Sequence, residues 1–156
     1  METLQTLTLA DEAATRRLGA QLAAVLAAGD VLALAGDLGA GKTTLARGLI
    51  QAALGGCEPV PSPTFTLVQT YEPAAGPAIW HFDLYRLTDP EELIEIGWEE
   101  AMAGGIVLVE WPERAGEALP PETLRLRLEE EGSGRLAVFE GEGDAWRHRL
   151  AGRLAP

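Results

Sequence analysis

At 156 residues the chain is sized for one domain, residues 1–156, built on one core. Hydrophobic residues make up 47% and charged residues 23%, the balance of a folded domain, while a net charge of −12 argues against autonomous nucleic-acid binding, which needs clustered Lys and Arg against phosphate. The single cysteine, Cys57, excludes an internal disulfide and fits a reducing compartment.

The opening METLQTLTLADEAAT lacks the basic-then-apolar layout of a signal peptide, and residues 3–9 alternate weakly as a first strand. Asp11 is placed to cap a helix over 12–28, with Leu18, Leu22, Val25 and Leu26 on one face and Gly29 as its stop. The longest apolar run, LAAVLAAGDVLALAG, is interrupted by Asp30 and is no membrane span, so a cytoplasmic domain without membrane contact is expected. Residues 31–36, VLALAG, read as a strand covered on both faces, followed by a helix from about Gly41 to Leu54 that Gly55-Gly56 ends. After an irregular loop over 59–63 come strands over 64–72 and 78–85, joined at PAAGP. A capping box from Thr88 to Glu91, with Pro90 in the first turn, starts a short helix, and IVLVEW (106–111) is a second buried strand. TLRLRLEEE and RLAVFEG flank GSG as a hairpin, and DAWRHRLAGRL closes the chain as a short helix. Strands and helices alternate without repeats or a dividing linker, which predicts an α/β sandwich.

Lys42 is the only lysine in the chain, and Gly36-Asp37-Leu38-Gly39-Ala40-Gly41-Lys42-Thr43 matches the P-loop pattern G-x-x-x-x-G-K-[ST] between an apolar strand and an amphipathic helix. The glycines permit a tight loop whose N–H groups, with those of the following helix through Thr44, surround phosphates. Lys42 supplies a compact charge to the β- and γ-phosphates, a task for which a planar guanidinium is no substitute. The Thr43 hydroxyl is placed to ligate Mg²⁺. The expected fold is therefore a P-loop NTPase-like three-layer sandwich with a mixed, mainly parallel central sheet.

A P-loop needs an acid at the end of a neighbouring strand to hold Mg²⁺ through its water shell. IVLVE ends at Glu110 after four apolar residues, and AIWHFD ends at Asp83 in an alternating strand. Glu110 is favoured for the metal, leaving Asp83 to orient the attacking water or couple to the metal. Ser62 and Thr64, on the proline-stiffened SPTFT, are candidates for a switch hydroxyl at the metal or γ-phosphate, and Trp111 either lines the site or packs. His81 and His148 lack metal spacing and read as structural, and LEEEG (128–132) reads as a solvated strand end.

Guanine readers carry an [NT]-K-x-D segment, which a chain with no second lysine cannot contain, so ATP is favoured. Three readings stay open on the residues alone: a switch ATPase, a small-molecule kinase, and a non-catalytic nucleotide-gated module. For the kinase, RLTDPEEL around Arg86 is the one candidate lid.

GDLGAGKTTLARGL, SPTFTLVQTYE, HFDLYRLTDPEEL, GWEE and VLVEWPER, in this order, resemble the bacterial TsaE (YjeE) family, over about residues 9–115; from Gly116 on, the resemblance rests mainly on length and GSGR. The resemblance implies a Mg²⁺-dependent ATPase that assists the threonylcarbamoyl-transferase pair TsaD and TsaB, with tRNA held by those partners and the acidic chain meeting it only indirectly. It implies that Thr43 and Glu110 hold Mg²⁺, that Asp83 is needed for hydrolysis, and that Glu12 and Arg135 border the nucleotide. Phe65 stands where the family usually has tyrosine.

Overall fold

The computed structural model describes residues 2–37, 39–56 and 67–156. The expected loop over 59–63, the start of the 64–72 strand, and Leu38, Cys57, Ser62, Thr64 and Phe65 lie outside the described residues. In chain order the elements are β1 (Glu2–Leu9), α1 (Glu12–Val25), β2 (Val31–Ala35), α2 (Lys42–Leu54), β3 (Val68–Tyr71) and β4 (Ile79–Asp83). Then come α3 (Glu92–Glu95), α4 (Trp98–Gly104), β5 (Ile106–Glu110), a 3-10 segment (Pro112–Ala118), β6 (Leu124–Glu131), β7 (Gly134–Gly141) and α5 (Ala145–Leu150).

The strands form one sheet in the order β1-β7-β6-β2-β5-β4-β3. It is mixed, as expected: β6, β2, β5 and β4 run parallel, while β1–β7, β6–β7 and β3–β4 pair antiparallel. Side chains alternate across the parallel centre, so Leu32, Leu34 and Leu108 face one side and meet Leu18, Leu22, Leu45 and Leu49 of α1 and α2. Val31, Val107 and Val109 face the other side and meet Phe82, Leu93 and Trp98. Two cores on one sheet make three layers, and each fully buried Leu, Val or Phe contributes about 1.5–3 kcal/mol through area removed from water. No helix among the described residues is long and apolar enough to cross a membrane.

Local chemistry fixes the ends of the elements. Asp11 accepts the Ala14 N–H on Oδ1 at 2.8 Å, capping α1 as its sequence predicts. The helix stops at Val25 rather than running to 28, because Leu26 turns to extended backbone (φ −72, ψ 143) and drops into the core. α2 ends at Gly55, whose φ of 77 suits glycine, as expected. The capping box is shifted by one residue. Glu92, not Glu91, reaches back, accepting from the Thr88 hydroxyl at 2.5 Å and the Asp89 N–H at 3.1 Å, while Asp89 Oδ1 accepts the Glu91 N–H. The reason is local: an Asx turn at Asp89 serves the first free N–H and places Glu92 one turn in. α4 and the 3-10 segment were not foreseen; both are short and bounded or interrupted by glycine.

α1 and α2 approach closely enough that glycine is required at the crossing: a Cβ on Gly19 would collide with the Leu45 carbonyl, and one on Gly48 with the Arg16 carbonyl. The P-loop helix and the helix bearing Asp11, Glu12 and Thr15 therefore share one tight contact, and it brings their N-terminal ends to one side of the sheet's C-terminal edge.

Candidate nucleotide-binding cleft

β2 ends at Ala35 and the chain turns through Gly36 (φ 140), Gly39 (φ 81) and Gly41 (φ 106) into α2. At Gly36 a Cβ would sit 2.5 Å from the Leu128 carbonyl oxygen, so both its conformation and its space demand glycine. Gly41 caps α2, which leaves the first N–H groups of the helix turned to a cleft of about 660 Å³. Gly39, Gly41, Lys42, Thr43 and Thr44 form its floor; Asp11, Glu12 and Thr15 stand on one wall, and Asp83, Tyr85, Glu110 and Trp111 on the other.

Lys42 is only 5% exposed. Its Nζ donates to the Gly36 carbonyl at 2.5 Å and lies 3.5 Å from the centre of the Trp111 ring. Burial lowers the ammonium's pKa, opposed by the carboxylates of Glu110, Glu113, Asp83 and Asp37. Trp111 is the only non-glycine among the described residues with positive φ (59°), which costs about 1 kcal/mol and turns the indole back over the P-loop, where Tyr85 packs on it at 4.9 Å. Trp111 thus fills both of its expected roles, lining the cleft and packing against the Val107–Phe82–Trp98 core.

Parallel pairing sets the two acids side by side, with Asp83 of β4 opposite Glu110 of β5. Glu110 is 2% exposed; its Oε1 accepts from the Thr43 hydroxyl at 3.3 Å and its Oε2 lies 2.7 Å from His81 Nε2. Asp83 is half-buried and accepts the Tyr85 N–H on Oδ1 at 3.1 Å. Burial raises its carboxyl pKa and the Glu110 charge adds to the rise, against the Tyr85 N–H, His81 and Lys42. Among the described residues no group of three His, Cys, Asp or Glu is arranged to hold a metal unaided. The donors at the cleft nevertheless fit Mg²⁺: a hydroxyl and a carboxylate at the P-loop are hard oxygen ligands, and Mg²⁺ takes the rest of its octahedron from water and phosphate.

Arg135, which the family resemblance puts at the border of the nucleotide, lines the cleft with Ser133 and Gly134 and grips the loop. Its Nε donates to the Ala40 carbonyl and one Nη to the Gly39 carbonyl, both at 2.9 Å, while the other Nη donates to the Gly134 carbonyl. These bonds fix the peptide planes that follow Gly39 and Ala40, while the Ala40 N–H closes on the Asp37 carbonyl at 3.1 Å. Arg135→Ala is expected to speed amide hydrogen exchange at residues 39–41 and to weaken nucleotide binding about tenfold, the net worth of one or two hydrogen bonds; unchanged exchange there counts against the grip.

The remaining candidates sit as follows. Glu12 stands exposed on the rim, held by Arg16 at 3.1 Å. Asp37 is exposed, and its carbonyl accepts the Ala40 N–H at 3.1 Å. His148 lies on the exposed side of α5, away from the cleft. Among the described residues the His81 ring bonds Glu110 through Nε2; a lone histidine in an apolar strand carries no local signal of that.

The family model described as threonylcarbamoyl adenosine biosynthesis protein TsaE matches residues 9–137. The chain belongs to the TsaE family. That match extends past Gly116, where the sequence resemblance was thin, through β6 to Arg135. Relatives named tRNA threonylcarbamoyladenosine biosynthesis protein TsaE include one from Rickettsia conorii, 44% identical over 78% of this chain and 69% of its own. Another, from Nostoc, is 49% identical over 68% of this chain and 67% of its own. Among solved structures, Bacillus subtilis YdiB superposes with a TM-score of 0.77 at 28% identity, covering 96% of this chain and 94% of that one. The TsaE family assignment and the P-loop NTPase-like fold thus agree.

Proposed function

We propose that the chain binds Mg-ATP in this cleft, hydrolyses it, and uses the cycle to assist the TsaD–TsaB threonylcarbamoyl-transferase in modifying tRNA. The observation that carries the reading is the convergence of Lys42, Thr43, Glu110 and Asp83 on one side of the P-loop. The loop and the start of α2 offer N–H groups to the β- and γ-phosphates, and Lys42 moves from the Gly36 carbonyl to those oxygens, which replace its carbonyl partner with charged ones. Thr43 and Glu110 are the residues that would hold Mg²⁺, and the ion would offset the negative charge that develops on the oxygens of the transferred phosphoryl group. Asp83, beside Glu110 and with a carboxyl already inclined to take a proton, orients the attacking water.

The role beside TsaD and TsaB rests on the family. The net charge of −12 suits a chain that leaves tRNA to its partners, although it does not identify them. Labelled γ-phosphate followed with TsaB, TsaD and tRNA present is the test. The expected result is free phosphate, released slowly by the chain alone and faster with the partners. Label moved to a small acceptor points to a kinase, and label left on ATP points to a binding module.

A further inference from the structure

We infer that His81 is a positioning residue that holds the Glu110 carboxylate in the orientation the metal needs. The inference rests on the reading of Glu110 as the Mg²⁺ acid and adds the group that sets its geometry. His81 is 1% exposed on β4, two residues before Asp83 and therefore on the same face of the strand. Register pairing puts it beside Leu108 of β5, so its ring reaches along the sheet to the end of that strand, where Glu110 lies.

The two oxygens of Glu110 are divided between two partners, Oε2 with His81 Nε2 at 2.7 Å and Oε1 with the Thr43 hydroxyl at 3.3 Å. An ionised carboxylate only accepts, so the ring hydrogen belongs on Nε2. Nδ1 is then the one buried side-chain polar atom among the described residues without a hydrogen-bond partner. A ring with one nitrogen orphaned in an apolar core is a net burden on the fold, because a buried polar atom without a partner loses its water for nothing. Leu or Phe at this position would avoid that burden. What an apolar side chain cannot do is donate to Oε2. With that donor absent, the carboxylate has one weak contact left, at 3.3 Å, and nothing among its described partners keeps Oε1 turned to the cleft.

The test measures ATP affinity by calorimetry, with Mg²⁺ and with EDTA, in the full chain. His81→Leu removes the donor and keeps the volume. His81→Asn keeps polarity, but its amide nitrogen falls where Nδ1 lies and cannot reach Oε2. His81→Gln returns a donor near the position of Nε2. The first two are expected to weaken Mg-ATP binding roughly tenfold, the scale of one hydrogen bond to a charged group, and to leave binding in EDTA unchanged. His81→Gln is expected to recover most of the loss. In a Glu110→Ala background, His81→Leu is expected to add nothing to the loss of Mg²⁺ dependence, since the two act as one unit. Should His81→Leu fail to fold, the Asn and Gln pair carries the same comparison. Equal weakening with and without Mg²⁺, or a full effect that persists without Glu110, makes His81 a structural residue and overturns the inference. A wild-type affinity indifferent to Mg²⁺ overturns the metal reading itself, and the inference with it.

Discussion

Replacement of Lys42 by alanine is expected to weaken ATP binding by about 10- to 100-fold and to abolish phosphate release, because hydrogen bonds between charged groups contribute about 1.5–3 kcal/mol. The size follows from where the ammonium sits. It is nearly shielded from water, already stripped of part of its hydration, and held, among the described residues, by the Gly36 carbonyl and the Trp111 ring. A phosphate oxygen is a stronger partner than either, and little further desolvation stands in its way. Lys42→Arg is not expected to restore function, since a planar fork does not fit the space a compact ammonium occupies between carbonyl and indole. Calorimetry and phosphate release decide both points; unchanged values for Lys42→Ala would sink the P-loop assignment.

Asp83→Asn is expected to give a protein that binds Mg-ATP, turns it over about 10²- to 10⁴-fold more slowly, and melts at a higher temperature than wild type at neutral pH. The rate loss is that of a positioned proton acceptor. The gain in stability follows from the raised carboxyl pKa, whose main cause is burial. A group whose pKa rises on folding favours its protonated form in the folded state. Its ionised form therefore costs stability above the folded pKa, and that cost is absent below the ordinary aspartate value of about 3.9. Asparagine removes the cost at neutral pH and changes nothing in acid, so the difference in melting temperature should close as pH falls. Glu110→Ala is expected to behave in the opposite way, losing Mg²⁺-dependent binding before catalysis is ever tested. If the two phenotypes came out exchanged, the roles assigned to the acids would be reversed.

How much of this was legible depended on whether the cause lay nearby in the chain. The P-loop could be read because its chemistry fixes residue types at fixed spacing, and α1 because Asp11 caps it three residues away. The choice of Glu110 over Asp83 for the metal rested on a strand apolar throughout, and β5 is buried from Ile106 to Glu110. The capping box slipped by one position because Thr88 and Asp89 compete for the same turn, and spacing alone cannot rank them. Arg135 and His81 were beyond local reading for a different reason. Arg135 acts on carbonyls 95 and 96 positions earlier in the chain, and His81 on a carboxylate 29 positions later. Their partners are set by sheet order, which the sequence displays only through alternation and turns.

Sheet order also has a consequence for the chain as it is made. Among the described residues the first strand, β1, pairs with the last, β7, and with no other. Some 125 residues separate the end of one from the start of the other, so at a synthesis rate of about 5–20 residues per second β1 waits roughly 6–25 seconds for its partner. During that time a strand rich in leucine and threonine has both edges open to its neighbours, the condition under which strands aggregate. Arg135 arrives with the same late strand, so the P-loop gains its grip only when the sheet closes. A nascent chain therefore lacks one fixing of the loop until its last strand is in place, and the proposed ligand favours the finished fold.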